Sequence, residues 1–313
     1  MKGMRPMSTK HIFIVNPMAG KGKQPEVFSE MLKPYLSSYD IDIYPTSCSG
    51  DATEYIKGVL ENGDPMTTYR FYSCGGDGSL NEAVNGIMKS GKTNCELCPY
   101  PCGSGNDFVK ALGGKERFSD VGVLLSSEAK PIDVLRAGAD YAINAVHFGF
   151  DTKVASVMQK IKRKPIIGGK RAYPTGVAVA FFTAMKNNCT LTADGEELLN
   201  GNFLLCTLAN GQYVGGQYKC APRSKYDDGL IEVCMVKTVS RPKFLTLINY
   251  YKQGTHLETE KFKKIIIYRQ AKKLMLSSTK KDFSYSLDGE VITGNNIEIE
   301  ILPGAINMVI PEE

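Results

Sequence analysis

Three glycine-rich segments in the first third of the chain each stand between a strand-like run and a helix-like run. They cover residues 16–22, 75–82 and 101–107. Ligands of open α/β sheets bind outside the carboxyl ends of the strands, where segments of this kind meet. The pattern therefore predicts a parallel sheet with one pocket that the three segments share.

The order of the predicted strands and helices changes near residue 132. Before it, strands and helices alternate, which implies right-handed crossovers and a parallel sheet. After it, strand-like runs follow one another closely, with helical insertions expected only at 152–161 and 241–251, and an amphipathic helix is also expected earlier at 26–36. We predict an α/β nucleotide-binding domain over 1–131, rejoined by about 303–313, and an antiparallel β-sandwich domain over 132–302.

Composition and cysteine usage favour a soluble cytoplasmic chain. The net charge is +5, from 38 basic and 33 acidic residues, which is too mild for a dedicated nucleic-acid binder. The longest apolar run, 176–185, is far shorter than the roughly 18 residues that span a bilayer. The nine cysteines are scattered and odd in number, so reduced thiols are favoured over disulfides, and over a metal site at Cys95, Cys98 and Cys102.

The second glycine-rich segment carries an acid where an anion would bind. Glycines let main-chain amides approach a phosphate, and the following helix directs its positive end there. Asp77 would repel that phosphate unless a divalent cation lay between them, which suggests a Mg²⁺-organising carboxylate. The alternative is a tight strand-to-helix turn in which Asp77 serves only as an N-cap.

The segments together resemble a known family. Residues 75–86 resemble the GGDGT-x-NEV-x-NG signature of the diacylglycerol kinase catalytic domain, which bacterial lipid kinases, eukaryotic diacylglycerol kinases and sphingosine kinases share. Residues 101–108 resemble its P-x-GT-x-NDFA block, and 16–22 its NP-x-(S/A)G-x-G block. Residues 288–290 match its DGE motif, and 225–230 match a segment that holds a structural Mg²⁺ in bacterial members. The resemblance implies a NAD kinase/diacylglycerol kinase-like α/β domain plus a β-sandwich.

The resemblance also implies ATP- and Mg²⁺-dependent phosphorylation of a lipid hydroxyl, with both cofactors at the cleft between the domains. Asp288 would be the general base, supported by Glu290, and Asp77 would also belong to the catalytic set. The structural Mg²⁺ would lie on Asp228 and the main-chain carbonyls of Lys225 and Leu230, and would reach towards Asp77 through water. The implied nucleotide contacts are Asn16, Pro17, Met18, Ala19, Gly20, Thr46, Gly75, Gly76, Asp77, Gly78, Ser79, Leu80, Asn81, Glu82, Ser104, Asn106 and Asp107.

The DGE motif allows two interpretations that can both hold. Phosphoryl transfer needs positioning and charge neutralisation, to which a carboxylate beside the acceptor hydroxyl adds general-base help. Asp288-Gly289 is also a common hairpin-turn dipeptide. Replacing Asp288 by Asn is expected to remove the base with little change in folding.

The acceptor stays open between several classes. Diacylglycerol, giving phosphatidic acid, is the first expectation, while a sphingoid base, phosphatidylglycerol and a polyprenol offer similar hydroxyls. A soluble small-molecule kinase of the NAD kinase class is the main alternative, but there the Asn-Glu pair comes in a later motif, whereas Asn81-Glu82 follow directly here. A catalytically silent regulatory domain is disfavoured by the retained acids, and a dinucleotide oxidoreductase by the lack of G-x-G-x-x-G after the first strand.

Two basic stretches suggest how the chain reaches a lipid. Residues 159–171 and 261–281 are rich in lysine and arginine and contain no acidic residue. Anionic bilayers attract such segments by about 1 kcal/mol per charge. The apolar tip at 165–169 could enter the headgroups. A solvated surface is the alternative, and it is favoured for the second stretch. We expect peripheral membrane contact and a lipid partner, no nucleic acid, and leave a homodimer open.

Overall fold

The structure is a computed structural model that describes residues 9–20, 24–161 and 171–312. It divides into two compact units. Unit 1 takes the chain up to Ile132 together with the segment from Gly304, and unit 2 takes Asp133–Pro303. The limits expected from the sequence lie within one residue of these.

Unit 1 is built on a parallel sheet. Its strands follow the spatial order β4-β3-β1-β2. They are β1 (Thr9–Val15), β2 (Asp40–Pro45), β3 (Thr68–Gly75) and β4 (Cys95–Pro101). The residues from His11 to Val15 are all buried, as expected where helices cover both faces of a parallel sheet.

Five α-helices accompany these strands in the described part of unit 1. They are α1 (Gln24–Leu32), α2 (Asp51–Asn62), α3 (Asp77–Ser90), α4 (Asp107–Ala111) and α5 (Val121–Ser126). The helix expected over 26–36 ends early, because Pro34 cannot continue an α-helix, and residues 33–35 form a 3-10 turn instead.

Unit 2 is an antiparallel β structure with helices added to it, which confirms the predicted fold class. Its strands are β5 (Ala129–Ala137), β6 (Asp140–Ala142), β7 (Ala145–Gly149), β8 (Asn187–Ala193), β9 (Glu196–Ala209), β10 (Ile231–Lys237), β11 (Ile266–Ala271), β12 (Lys273–Ser277), β13 (Ser284–Leu287), β14 (Glu290–Thr293) and β15 (Asn296–Val309). The long β9 pairs with β8 in its first half and with β7 and β10 in its second half. A strand that changes partners in this way closes a sandwich around one apolar core. The end of β15 returns to unit 1, where Met308 pairs with Leu97 in a parallel register.

Three α-helices lie in the described part of unit 2, not the two expected. They are α6 (Phe150–Ile161), α7 (Ala172–Thr183) and α8 (Arg241–Gln253). The missed helix is α7, whose residues are apolar around most of its circumference, so the sequence shows no helical period there. Among the described residues, none of the helices has both the length and the apolarity that crossing a bilayer requires.

Candidate active-site residues

The loops that follow the strands of unit 1 meet at one edge of its sheet. The Asn16 N–H donates to the carbonyl of Cys74 over 3.1 Å, which ties the end of β1 to the end of β3. The Thr46 N–H donates to the carbonyl of Val15 over 2.9 Å, which adds the loop after β2. The predicted convergence at the carboxyl edge is therefore present for these three strand ends.

The second and third glycine-rich segments touch through their backbones. The carbonyl of Gly75 accepts the N–H groups of Cys102 and Gly103 at 2.8 and 3.0 Å. A Cβ on Gly103 would overlap the Cα of Gly76. Only glycine permits this approach, so these residues hold two strand-to-helix turns together.

Asp77 connects the same two segments through its side chain. Its Oδ2 accepts the Asn106 N–H over 2.8 Å, and its Oδ1 accepts the Asp107 N–H. The N-cap of α3 is Gly76, which has no side chain, and the Asp77 carboxylate contacts the N-cap residue and the first residue of α4. The carboxylate thus satisfies donors of the third segment, while its predicted cation-organising role stays a prediction.

The remaining predicted nucleotide contacts in the first loop differ in exposure. Met18 is 82% exposed, and Gly20 is exposed with a φ of 58°. The Asn16 side chain is half-buried, where its Nδ2 donates to Ser79 Oγ over 3.3 Å and its Oδ1 accepts the Met18 N–H over 2.9 Å. Pro17 and Ala19 are half-buried, and the neighbouring residues 21–23 lie outside the described residues.

Several of the residues on α3 and α4 that were predicted to bind the nucleotide have side chains engaged with other residues of the chain. Leu80 and Asn81 are buried, and Asn81 Oδ1 accepts the side-chain amide of Asn85. Glu82 accepts the Ser49 hydroxyl over 3.4 Å. Asp107 is paired with Lys110 over 2.8 Å. Gly78 and Ser104 are exposed, so these positions offer the more accessible groups.

Asp288 occupies the hairpin turn between β13 and β14. Its φ of 47° is left-handed, which confirms the predicted turn. Its carboxylate accepts three main-chain N–H groups, from Ile143 over 2.8 Å, Asn144 over 3.0 Å and Ala145 over 2.9 Å. The side chain is half-buried and held in one orientation, and nothing in its sequence surroundings indicated residues 143–145 as partners.

Glu290 lies two residues further along, at the start of β14. It is exposed, and its Oε2 accepts the side-chain amide of Gln159 on α6 over 3.1 Å. The same amide contacts the carbonyl of Gly289 over 3.3 Å. Glu290 therefore links the turn to α6, and its predicted support of Asp288 stays a prediction.

The predicted metal segment forms a tight turn around two acids. Asp228 Oδ1 accepts the Leu230 N–H over 3.1 Å, and the Gly229 N–H donates to Asp133 over 2.7 Å. Burial raises the pKa of Asp228, and the negative charges of Asp133 and Asp227 raise it further, against the opposing Leu230 hydrogen bond. A cation beside Asp228 would offset that repulsion.

This donor set suits an ion that keeps much of its water. Among the described residues, no group of three or more His, Cys, Asp or Glu side chains could hold a metal. Mg²⁺ is commonly bound by one or two carboxylates plus water, so one carboxylate with main-chain carbonyls is a compatible set.

No pattern in the sequence indicated the apolar pocket that α6, α7, α8 and nearby strands form in unit 2. Asp151 is the charged residue of its lining, and the free space inside is about 20 Å³, roughly the room that one water molecule needs. The lining residues are Phe150, Asp151, Tyr173, Val177, Leu205, Tyr218, Phe244, Leu247, Ile248 and Tyr251. Aromatic and aliphatic walls of this kind suit the hydrocarbon part of a ligand.

Asp151 is poorly solvated at the wall of this pocket. Its Oδ2 is buried without a hydrogen-bond partner among the described residues, and it lies 3.7 Å from Nδ1 of His147. Burial raises the pKa of Asp151 to about 7 and lowers the pKa of His147 to about 4. Near neutral pH the imidazole is therefore uncharged and forms no ion pair with Asp151.

Replacing Asp151 by Asn is expected to stabilise the chain at alkaline pH. The carboxyl has a pKa of about 7 when folded and 3.8 as the ordinary value, so between these pH values the folded state binds more protons. Its contribution therefore lowers the free energy of unfolding as pH rises through this window. The variant should gain roughly 1–4 kcal/mol near pH 8 and almost nothing near pH 4, since one pKa unit is about 1.4 kcal/mol.

Urea denaturation at several pH values measures this effect. Asp282→Asn is the matched control, because Asp282 is an exposed turn residue. An Asp151→Asn gain that does not change with pH would contradict the assignment.

The structure describes the second predicted membrane stretch in full and the first only in part. Residues 162–170 of the first stretch, including its apolar tip, lie outside the described residues. In the second stretch, Lys263 pairs with Glu260, Arg269 with Glu196 and Lys273 with Glu298. These acids reduce the positive field of the second stretch.

Comparison with known families covers both units. The family model described as "Diacylglycerol kinase catalytic domain" matches residues 10–137. The model described as "YegS C-terminal NAD kinase beta sandwich-like domain" matches residues 144–310. The two matches together extend over nearly the whole chain.

Similar proteins match over comparable lengths. A diacylglycerol kinase of Bacillus subtilis is 27% identical over 308 residues, covering 96% of both chains. A protein of Alcanivorax borkumensis named "Probable lipid kinase YegS-like" is 27% identical over 278 residues, covering 88% of both. The solved structure of a diacylglycerol kinase from Bacillus anthracis has a TM-score of 0.69 at 23% identity, covering 96% of both chains, and supports the fold.

Proposed function

Because the chain belongs to the bacterial diacylglycerol and lipid kinase family and is a lipid kinase, we propose that it phosphorylates diacylglycerol with ATP and Mg²⁺. The product would be phosphatidic acid. The observation that carries the proposal is the backbone contact between Gly76 and Gly103, which holds two glycine-rich turns and their helix starts together.

The loops of unit 1 suit a polyphosphate. The first N–H groups of an α-helix such as α3 have no partner within the helix, and helix N-termini favour negative charge. Asp77 directs its carboxylate to the N–H groups of Asn106 and Asp107, which lessens its repulsion of a phosphate. ATP bound there would supply the phosphoryl group, with exposed Gly78 and Ser104 among its contacts.

Asp288 suits the role of general base. In the proposed step, the lipid hydroxyl oxygen forms a bond to the γ-phosphorus, its proton passes to the Asp288 carboxylate, and ADP leaves. Hydrogen bonds from Ile143, Asn144 and Ala145 fix that carboxylate before substrate arrives. A base already held in one orientation avoids the cost of ordering it during reaction.

The pocket of unit 2 supports an acceptor with a hydrocarbon body. Its free space is about 20 Å³, so an acyl chain would have to part the aromatic and aliphatic side chains, and about 25 cal/mol is gained per Å² of apolar surface that this buries. Diacylglycerol is chosen among lipids because the Bacillus subtilis relative is named for it.

The proposal predicts a metal-dependent stabilisation through Asp228. Asp228→Ala should abolish the rise in melting temperature that Mg²⁺ produces in the unchanged chain, because binding to the folded state alone stabilises it. Asp227→Ala is the control, since Asp227 is the neighbouring exposed acid. Thermal melting with and without Mg²⁺ is the measurement. If Mg²⁺ raises the melting temperature equally in the unchanged chain and in both variants, Asp228 does not hold the ion.

The function itself is tested by transfer of label. The chain is incubated with γ-labelled ATP, Mg²⁺ and mixed micelles that carry one lipid at a time, and products are separated by thin-layer chromatography. Label in phosphatidic acid is the expected result. If the label appears only in the product of a sphingoid base, phosphatidylglycerol or polyprenol, that lipid is the acceptor and diacylglycerol is not. If no lipid is labelled, the proposal is rejected.

A further inference from the structure

We propose that α7 and the first turns of α8 form a docking face for an anionic lipid bilayer. This face consists of Pro174, Ala178 and Phe182 on α7 and Arg241 and Leu245 on α8. The inference rests on the proposed function, because an enzyme that phosphorylates membrane lipids must bind the membrane that contains them. Its residues differ from the two basic stretches that the sequence suggested.

The helix α7 presents apolar residues to water as well as to the protein. Ala172, Gly176 and Ala180 recur every four residues on the buried side, where a Cβ on Gly176 would lie 2.9 Å from the carbonyl oxygen of Val154. An ordinary surface helix carries polar residues on the opposite side. In α7 that side carries three exposed apolar residues instead, Pro174, Ala178 and Phe182.

The largest side chains of this face are strongly exposed. Phe182 is 71% exposed, and Leu245 on α8 is 56% exposed. Isolated exposed apolar residues need no explanation, but a row of them on a helix without a charged residue marks an interaction surface.

The start of α8 lies beside the end of α7. The Arg241 guanidinium donates to the carbonyl oxygens of Phe181 and Phe182 over 3.2 and 3.3 Å. Leu245 follows Arg241 by one turn of α8, on the same side of that helix. Phe182, Arg241 and Leu245 therefore belong to one surface.

The charge of this surface selects the partner. Arg241 is exposed on this face, and neither α7 nor α8 contains an acidic residue. Each basic residue near an anionic membrane contributes about 1 kcal/mol of attraction. A second copy of the chain would place like charges opposite one another, so a bilayer is the better match than a dimer.

The same helices line the apolar pocket on their inner sides. Tyr173 and Val177 come from α7, and Phe244, Leu247 and Ile248 come from α8. A lipid in contact with the docking face would meet the helices that line this pocket. This continuity favours a lipid surface over a protein partner.

Sedimentation with vesicles tests the docking face. The double variant Phe182→Ser/Leu245→Ser should bind phosphatidylglycerol-containing vesicles at least about tenfold more weakly than the unchanged chain, because two apolar side chains no longer enter the bilayer. The control is Val27→Ser/Met66→Ser, which removes exposed apolar residues of unit 1 that are 52% and 60% exposed. Equal binding by the docking-face variant and the control would overturn the proposal.

Charge and oligomeric state provide further outcomes. Arg241→Gln should reduce the preference for phosphatidylglycerol over phosphatidylcholine vesicles, and an unchanged preference would contradict the electrostatic part. If the unchanged chain ignores vesicles and Phe182→Ser/Leu245→Ser converts a dimer to a monomer in ultracentrifugation, the surface is an interface between copies and the proposal is wrong.

Kinase assays separate this inference from the proposed function. The variant Phe182→Ser/Leu245→Ser should keep its turnover of a dispersed short-chain diacylglycerol and lose turnover of long-chain diacylglycerol in vesicles. Equal losses on both substrates would contradict a docking role. If the unchanged chain phosphorylates neither substrate, the proposed function fails while the vesicle-binding result still decides the docking face.

Discussion

Asp288→Asn is expected to lower lipid kinase turnover by about 10²–10⁴-fold, the usual contribution of a positioned general base. The amide cannot accept the proton of the lipid hydroxyl at neutral pH. Asn is the suitable replacement because it tolerates the left-handed backbone, here with a φ of 47°. Turnover is measured with γ-labelled ATP and diacylglycerol in mixed micelles.

The structure corrects the expectation that this substitution leaves folding nearly unchanged. Both carboxylate oxygens accept main-chain N–H groups, Oδ2 from Ile143 and Oδ1 from Asn144 and Ala145. An Asn side chain has one oxygen only, so its NH₂ group would face an N–H donor on one side. Leaving a partly buried donor unpaired costs about 1–3 kcal/mol, so a loss of activity must be separated from a loss of stability.

The chain contains a matched control for this purpose. Asp194 begins the Asp-Gly turn between β8 and β9, with a φ of 50°, and its carboxylate accepts the N–H groups of Lys272 and Lys273. Asp194→Asn makes the same substitution in the same type of turn and should keep normal turnover, and it should cost less stability because Asp194 is exposed and one oxygen accepts both of these bonds. If Asp288→Asn also keeps normal turnover when fully folded, the base assignment is wrong.

Gly103→Ala is expected to lower ATP affinity at least about tenfold and to destabilise unit 1 by roughly 1–3 kcal/mol, the usual cost of overpacking. The added methyl group would overlap the Cα of Gly76 and lie 2.9 Å from Oδ1 of Asn106. Because the first obstacle is backbone, it can be relieved only by moving the two loops apart. Calorimetric titration with ATP and Mg²⁺, together with urea denaturation, measures both effects.

Gly58→Ala is the control for this substitution. Gly58 lies within α2, and an added Cβ would meet nothing within 4 Å in the described part of the chain. Alanine is favoured over glycine inside a helix by about 1 kcal/mol, so this variant should bind ATP normally and be slightly more stable. Normal ATP affinity in Gly103→Ala would show that the contact between the loops does not shape the nucleotide site.

The parallel sheet and its loops were predictable because their signals are local. Residues 12–15 form a continuous apolar run, and glycine-rich segments follow at 16–22, 75–82 and 101–107. Parallel strands bring their carboxyl ends to one edge, so the order of elements places the loops together. The Asp288-Gly289 hairpin was predictable for the same reason, since a two-residue turn depends on its own dipeptide.

The partners of the site residues depend on distant parts of the chain. Asp77 accepts the main-chain N–H of Asp107, thirty residues later, and Asp288 is held by main-chain groups of residues 143–145. Main-chain N–H groups are present at every residue except proline, so no side-chain pattern marks the ones that will meet a carboxylate.

The amino-acid sequence by itself determined the family, the parallel and antiparallel halves, and the acids and glycines available for phosphoryl transfer. Only the tertiary structure decided which donors hold those acids, that α7 turns Phe182 and its apolar neighbours outward, and where α6 to α8 enclose a pocket. The physical reason is the sequence separation of the residues that interact. Turns and strand patterns depend on neighbouring residues, whereas packing and hydrogen bonding between elements depend on segments that are brought together only when the chain folds.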